Sequence, residues 1–198
     1  MAYRAEFQGS ALVRKGESMK TDTTTIKCKA LFSDDGKHRL LLRREWDKNK
    51  NSSMIIMINP NSADIFSMDL TTMLVINNLS KLGFGSVNIA NLYSQITDKL
   101  SLRFNSDEDL LDNNNDSIIA KYAEQSDAVI IAWGSVGSNS QRVRDRQAEL
   151  LEVLQPFADK LYKIGDSGYH PLTPSIRTKW ELVPFELEVG NNDENNES

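Results

Sequence analysis

Residues 54–58 read MIIMI, an apolar run without the polar alternation of a half-exposed strand, and it breaks directly into NPNSAD at 59–64. Such a run, bounded by polar residues, suits a strand buried on both faces of a parallel sheet. SVNIANLY (86–93) and DAVIIAW (127–133) read the same way, with KLYKIG (160–165) as a last, shorter strand. Between them the spacing turns helical. Leu70, Met73, Leu74, Ile76 or Asn77 and Leu82 predict a helix over 69–82, started by Asp69 or Ser67 and stopped at Gly83. Ile118, Ile119 and Tyr122 predict one over 112–125; Val143, Leu150, Leu151 and Leu154 predict another over 138–155. Upstream, KCKALFS (27–33) and HRLLLRR (38–44) flank the turn sequence DDGK, a β-hairpin signal. The order βαβαβαβ after a hairpin predicts an α/β fold, a three-layer sandwich with a mainly parallel central sheet.

At 198 residues, 39% hydrophobic and 26% charged, the chain is sized for one domain that buries about 70% of its unfolded surface. Residues 26–187 are read as that domain, 1–25 as an N-terminal extension and 188–198 as a disordered acidic tail. The net charge of −5 is local. Glu186, Glu188, Asp193, Glu194 and Glu197 fall in the last 13 residues, which hold no Lys or Arg, so residues 1–185 balance 23 basic against 23 acidic side chains. A body this neutral lacks the basic face that favours a polyanion. No stretch approaches the roughly 20 apolar residues of a membrane span and the start of the chain lacks an apolar signal core, so the expectation is a cytoplasmic protein with no membrane partner. Cys28 has no second cysteine to pair with, and its KCKALF setting reads as strand packing rather than thiol chemistry. Two histidines and one cysteine make no metal cage, and no metal or cofactor is expected. The motifs of P-loop, dinucleotide-binding, serine-hydrolase and zinc-protease chemistry are missing.

Ligands of such sheets bind at the carboxyl ends of the strands. The first apolar strand delivers Asn59, Pro60, Asn61 and Ser62 there; the second delivers Asn91, Tyr93 and Ser94. The third delivers Trp133, Gly134, Ser135, Ser138 and Asn139, and the last delivers Asp166, Tyr169, His170 and Pro171. Pro60 fixes the backbone so that Asn59 and Asn61 point consistently, although Asn-Pro is also an ordinary turn sequence. A carboxamide at a strand end, as at Asn91, costs stability unless it is paired. Tyr93 and Phe66 have rings that could stack on a base or cap the core. Arg142, Arg144 and Arg146 spread around a helix, and a phosphate contact by one of them, Arg142, is the functional expectation beside a plainly solvated helix.

Two resemblances follow from these residues. RREWD (43–47), NPNSAD (59–64), GFG (83–85), NL (91–92), ND (115–116) and WG (133–134) together resemble a bacterial family of unknown function, DUF1643, over about Arg39 to His170. More distantly, MINPNSA, Asn91, Trp133-Gly134 and YHPLTPS (169–175) are similar, in order, to the motifs of the uracil-DNA glycosylase superfamily, in particular its mismatch-specific branch. That resemblance implies a uracil-DNA-glycosylase-like fold and a partner that is a nucleobase, nucleotide or nucleic acid, with hydrolysis of the N-glycosidic bond of a modified base. It implies that Asn59 positions the hydrolytic water, that Asn91 reads the base and that His170 donates to the base carbonyl. Asp64 or Asp69 would assist as a carboxylate, and Leu172 or its neighbours would enter the duplex. Asn61 stands where that branch has its second glycine. The alternative reading is a non-catalytic nucleotide- or protein-binding module, in a phage or phage-defence setting.

Overall fold

The computed structural model describes residues 20–61, 65–98, 100–135 and 140–187. Its strands are β1 (Lys27–Phe32), β2 (Arg39–Glu45), β3 (Ser52–Met57), β4 (Ser86–Asn91), β5 (Ala128–Ile131), β6 (Leu161–Ile164) and β7 (Leu182–Pro184). Its helices are α1 (Leu70–Lys81), α2 (Asp107–Leu110), α3 (Asn115–Glu124) and α4 (Gln141–Leu154). The seven strands form one sheet in the order β1-β2-β4-β3-β5-β6-β7. The fold is therefore α/β around a mixed sheet. Only the pairings among β4, β3, β5 and β6 are parallel; β1 with β2, β2 with β4 and β6 with β7 are antiparallel. A mainly parallel sheet describes its centre and not its flanks, because the opening hairpin adds two antiparallel strands at one side and β7 folds back on the other.

Burial explains the unalternated runs. Every residue of β4 and β5 is buried, since helices cover both faces. On one face Val75, Ile76 and Leu79 of α1 pack on Ile55, Met57, Val87, Ile89 and Ile130. On the other, Ile119, Tyr122, Val143, Leu150 and Leu154 of α3 and α4 pack on Met54, Ile56, Ala90, Val129 and Ile131. Asp69 rather than Ser67 caps α1, its carboxylate accepting from Thr72 N at 2.6 Å. Leu70 and Met73, expected on the buried stripe, are 49% and 41% exposed, because the helix turns Thr72, Val75, Ile76 and Leu79 inward instead. Cys28 is likewise exposed, on the edge strand β1. The N-terminal residues 1–19, the tail from 188, Ser62, Asp64, Ser138 and Asn139 lie outside the described residues.

The topology suggests where to look for a candidate site. From β3 the chain passes through α1 to β4 on one side of it, then returns through α3 on the opposite face to β5 on the other side. Connections that leave in opposite directions open a crevice at the strand where the order reverses. That strand is β3, and its carboxyl end is Asn59-Pro60-Asn61.

Candidate functional site at the carboxyl edge of the sheet

The loop after β3 is held by its own carboxamides. Asn59 is half-buried and donates Nδ2 to the carbonyls of Thr97 at 2.8 Å and Pro60 at 3.2 Å, leaving Oδ1 as the atom it can offer a ligand or water. Asn61 donates Nδ2 to Asp69 Oδ2, so the loop is tied to the carboxylate that caps α1.

Asn91 ends β4, next to β3. It is 1% exposed, and neither its Nδ2 nor its Oδ1 has a partner among the described residues. Alternation along the strand puts it on the α1 face with Val87 and Ile89. An orphaned buried amide costs about 1–3 kcal/mol, so the position is not explained by stability.

Across β3 from Asn91 lies Gly134, just beyond β5, at φ +62°. A Cβ there would stand 3.1 Å from both the Cβ and the backbone nitrogen of His170, so the glycine admits the histidine loop to the sheet edge. His170 Nδ1 accepts from Leu172 N at 3.2 Å, which places the proton of the neutral ring on Nε2. Burial pushes the imidazole below its ordinary pKa, and the charge of Asp69 opposes this. Leu172 is half-buried and its carbonyl accepts from Arg177 Nε at 2.8 Å. Asn91 and the Gly134–His170 contact thus flank the end of β3 one strand to either side, a span of about 10 Å between the outer two strands.

Sequence reading missed the arginines of β2. Arg39 and Arg44 are 6% and 1% exposed. The register between β1 and β2 slips between Leu31 and Phe32, since Leu31 pairs with Leu41 but Phe32 pairs with Arg39, leaving Leu40 as an extra residue. That bulge reverses the alternation and brings Arg39 to the face of Arg44 and Asp69. Burial lowers the pKa of Arg39, Asp69 counters the effect and Arg44 adds to it, so the charge of Asp69 acts on both Arg39 and His170. Three arginines, Arg39, Arg43 and Arg44, around the apolar Leu40, Leu41 and Leu42 of HRLLLRR were the available signal.

The remaining expected residues fall elsewhere. Tyr93 and Trp133 are 1% and 8% exposed and belong to the core on the α3–α4 face. The Tyr93 hydroxyl has no partner among the described residues, and burial pushes its pKa up. Arg142 is on that face too, with Nε and Nη2 on Asp107 and Nη1 on the carbonyls of Leu102 and Asn105. Phe66 is 91% exposed, and with Ile65, Met68, Leu70 and Met73 it forms an apolar rim where the chain enters α1. Among the described residues no three His, Cys, Asp or Glu side chains gather as a metal site. A groove of about 760 Å³ beside the β1–β2 turn, bordered by Asp34, Asp35, Glu108 and Asp112, is lined by none of the expected site residues.

No helix among the described residues is long and apolar enough to cross a membrane. No curated protein and no solved structure matches the chain. The model of a family described as a protein of unknown function (DUF1643) matches residues 39–172, a span that opens on Arg39 and closes two residues after His170. The chain belongs to the DUF1643 family.

Proposed function

We propose that the α1 side of the carboxyl edge binds a nucleobase, free or within a nucleotide or nucleic acid, and that the domain works as a glycosylase-like hydrolase of an N-glycosidic bond. The observation that carries the reading is Asn91: a buried carboxamide with donor and acceptor both unpaired among the described residues. A carboxamide presents one donor beside one acceptor, the complement of the donor–acceptor edge of a base. His170 supports the hydrolytic step. Kept neutral by burial and carrying its proton on Nε2, it is a donor suited to an oxygen that gains negative charge as the glycosidic bond breaks. Asn59 Oδ1 would accept a hydrogen bond from the attacking water, with no change of charge on the carboxamide.

A second reading, a binding module without turnover, is favoured by one observation. Asp69 is the carboxylate tied to this edge, and both its oxygens accept hydrogen bonds from Asn61 and Thr72, which suits a structural strut better than a base.

The test is calorimetric titration with the common nucleosides, together with chromatography of oligonucleotides carrying uracil, mismatches or modified bases after incubation with the protein. Released base establishes the hydrolase. Binding that is lost in Asn91→Leu, with no base released, leaves the module. No nucleoside binding and no release overturns both.

A further inference from the structure

The groove of about 760 Å³ between the β1–β2 hairpin and the segment running from α2 into α3 is charged in a way the body of the protein is not. Residues 1–185 balance acids against bases, yet Asp34, Asp35, Glu108 and Asp112 line this groove and no Lys or Arg does. Two of these carboxylates are engaged. Asp35 accepts from the Ser33 hydroxyl at 2.6 Å and from Lys37 N at 3.0 Å and pairs with the Lys37 ammonium, and Asp112 accepts from Asn114 N at 2.8 Å. Asp34 on the hairpin and Glu108 on α2 are exposed, and neither carboxylate has a hydrogen bond or ion pair among the described residues. Each wall therefore presents one unanswered negative charge. The second feature is His38, a groove-lining side chain that is only 8% exposed. Its Nδ1 lies 2.9 Å from the hydroxyl of fully buried Ser94, which itself accepts from Asp112 N at 2.8 Å. Nδ1 takes the hydroxyl proton, so the neutral ring carries its own proton on Nε2. Nε2 has no partner among the described residues yet keeps contact with solvent, and so its N–H opens on the groove that His38 lines. Leu31, Phe32 and Ile118 add apolar surface to the same lining.

We infer that this groove docks a basic peptide segment of a partner protein. Its lysine or arginine side chains meet Asp34 and Glu108, its apolar side chains cover Leu31, Phe32 and Ile118, and one of its main-chain carbonyls accepts from His38 Nε2. The three features together select that chemistry. A polyamine offers His38 no acceptor, an anion is repelled by both walls, and a wholly apolar ligand strips water from the carboxylates and returns nothing. The space is adequate, since ordinary ligand sites run to about 300–1,000 Å³. Among the described residues β1 is the outermost strand and pairs with β2 alone, so no further strand closes the groove on that side. The inference is independent of the nucleobase reading, which concerns the carboxyl edge.

Fluorescence anisotropy of the full chain with labelled peptides tests this. A short peptide alternating lysine and leucine should bind at low salt, and its counterpart with glutamate for lysine should not. Asp34→Asn combined with Glu108→Gln should weaken the lysine peptide by about tenfold, the loss expected of two exposed charge pairs. Both side chains are exposed and unpaired, so this variant should fold as the wild type does. Glu152→Gln combined with Asp159→Asn removes two exposed acids that do not line the groove, and should leave the affinity unchanged. The chain has two histidines, and proton NMR should show the ring signals of His38 shifting on addition of the peptide while those of His170 stay in place. Failure of the lysine peptide to bind, equal weakening in the two double variants, or an unmoved His38 ring overturns the docking groove. Spermidine binding as tightly as the peptide overturns it too, and makes the groove a polyamine site.

Discussion

Gly134 gives His170 its place: with φ +62° and no side chain, it lets the Cβ and backbone nitrogen of His170 come where a methyl group would be 3.1 Å from each. Gly134→Ala therefore carries two penalties. The left-handed backbone costs about 1–2 kcal/mol for any residue with a Cβ, and the new methyl pushes His170 off the sheet edge by a few tenths of an ångström. Gly36→Ala is the matched control, because Gly36 has φ +71° and nothing within 4 Å of a Cβ. Urea melts should show both variants losing similar stability, while calorimetry should show nucleoside binding weakened in Gly134→Ala alone. Equal binding in the two variants would mean that His170 does not touch the ligand.

Asn91 gives the sharper separation of stability from function. Replacing an orphaned buried amide by an apolar side chain of similar size removes its desolvation penalty, so Asn91→Leu should be neutral or stabilising by about 1–3 kcal/mol. It should also abolish nucleoside binding. A structural asparagine behaves oppositely, and a clear loss of stability in the denaturant melt would assign Asn91 to the scaffold.

How much of this could be read from the sequence depends on range. The unalternated runs around Met54, Val87 and Val129 show burial on two faces directly, because each residue meets a helix on whichever side it points. Asp69 and Gly83 act within one turn of α1, and so were legible too. β7 was not: three residues ending in Pro184 pair with β6 for tertiary reasons that no local pattern carries. Tyr93 and Trp133, expected at the carboxyl edge beside Asn91, belong to the opposite face. The direction of Arg39 was not legible, because a one-residue slip opposite Leu40 decides it, and slips between strands leave no periodic trace. The DUF1643 motifs also mix roles. Trp46 Nε1 donates to the Phe84 carbonyl and Trp46 N and Asp47 N to that of Gly85, so RREWD and GFG clasp each other at the amino end of β4, away from the site.

The pH dependence of stability should carry the mark of His170. Burial depresses its folded pKa below the ordinary value near 6.5. The unfolded chain then binds the proton more readily, so the contribution is complete above the unfolded pKa and is lost as pH falls through 6.5 toward the folded value. Denaturant melts between about pH 5 and 8 should show stability declining on the acid side, and His170→Gln should flatten that decline. A slope unchanged by the substitution would place the titration in another group.

Arg142 and Arg146 share a helix and differ in weight. Arg146 is 6% exposed, donates Nε to the Leu92 carbonyl at 3.1 Å and pairs with Asp116. Arg146→Met strands a partly buried carboxylate and should cost about 3 kcal/mol. Arg142 pairs with an exposed Asp107, and its loss to alanine should cost about 1 kcal/mol, mostly through the Leu102 and Asn105 carbonyls. Neither touches the α1 side, so nucleoside affinity measured alongside the melts should stay at the wild-type value in Arg142→Ala. A weakened affinity there would extend the site around the end of β4.

Asp69 joins fold and site, and Asp69→Asn removes its charge while keeping the cap on Thr72 N, with the Asn61 contact retained only if the Asn61 carboxamide turns over to present its oxygen. Asparagine caps helices about as well as aspartate, so Asp69→Asn should hold α1 within a few tenths of a kcal/mol of wild type. What disappears, beside one acceptor for Asn61, is the negative charge that raises the pKa of His170 and of Arg39 against their burial. The imidazole should then titrate at a lower pH than in the wild type, and the acid-side loss of stability should extend further down the pH scale, because the gap between unfolded and folded pKa has widened. Proton NMR of the His170 ring follows the first effect and melts at stepped pH follow the second. An unshifted ring titration would show that Asp69 and His170 do not share a site in solution.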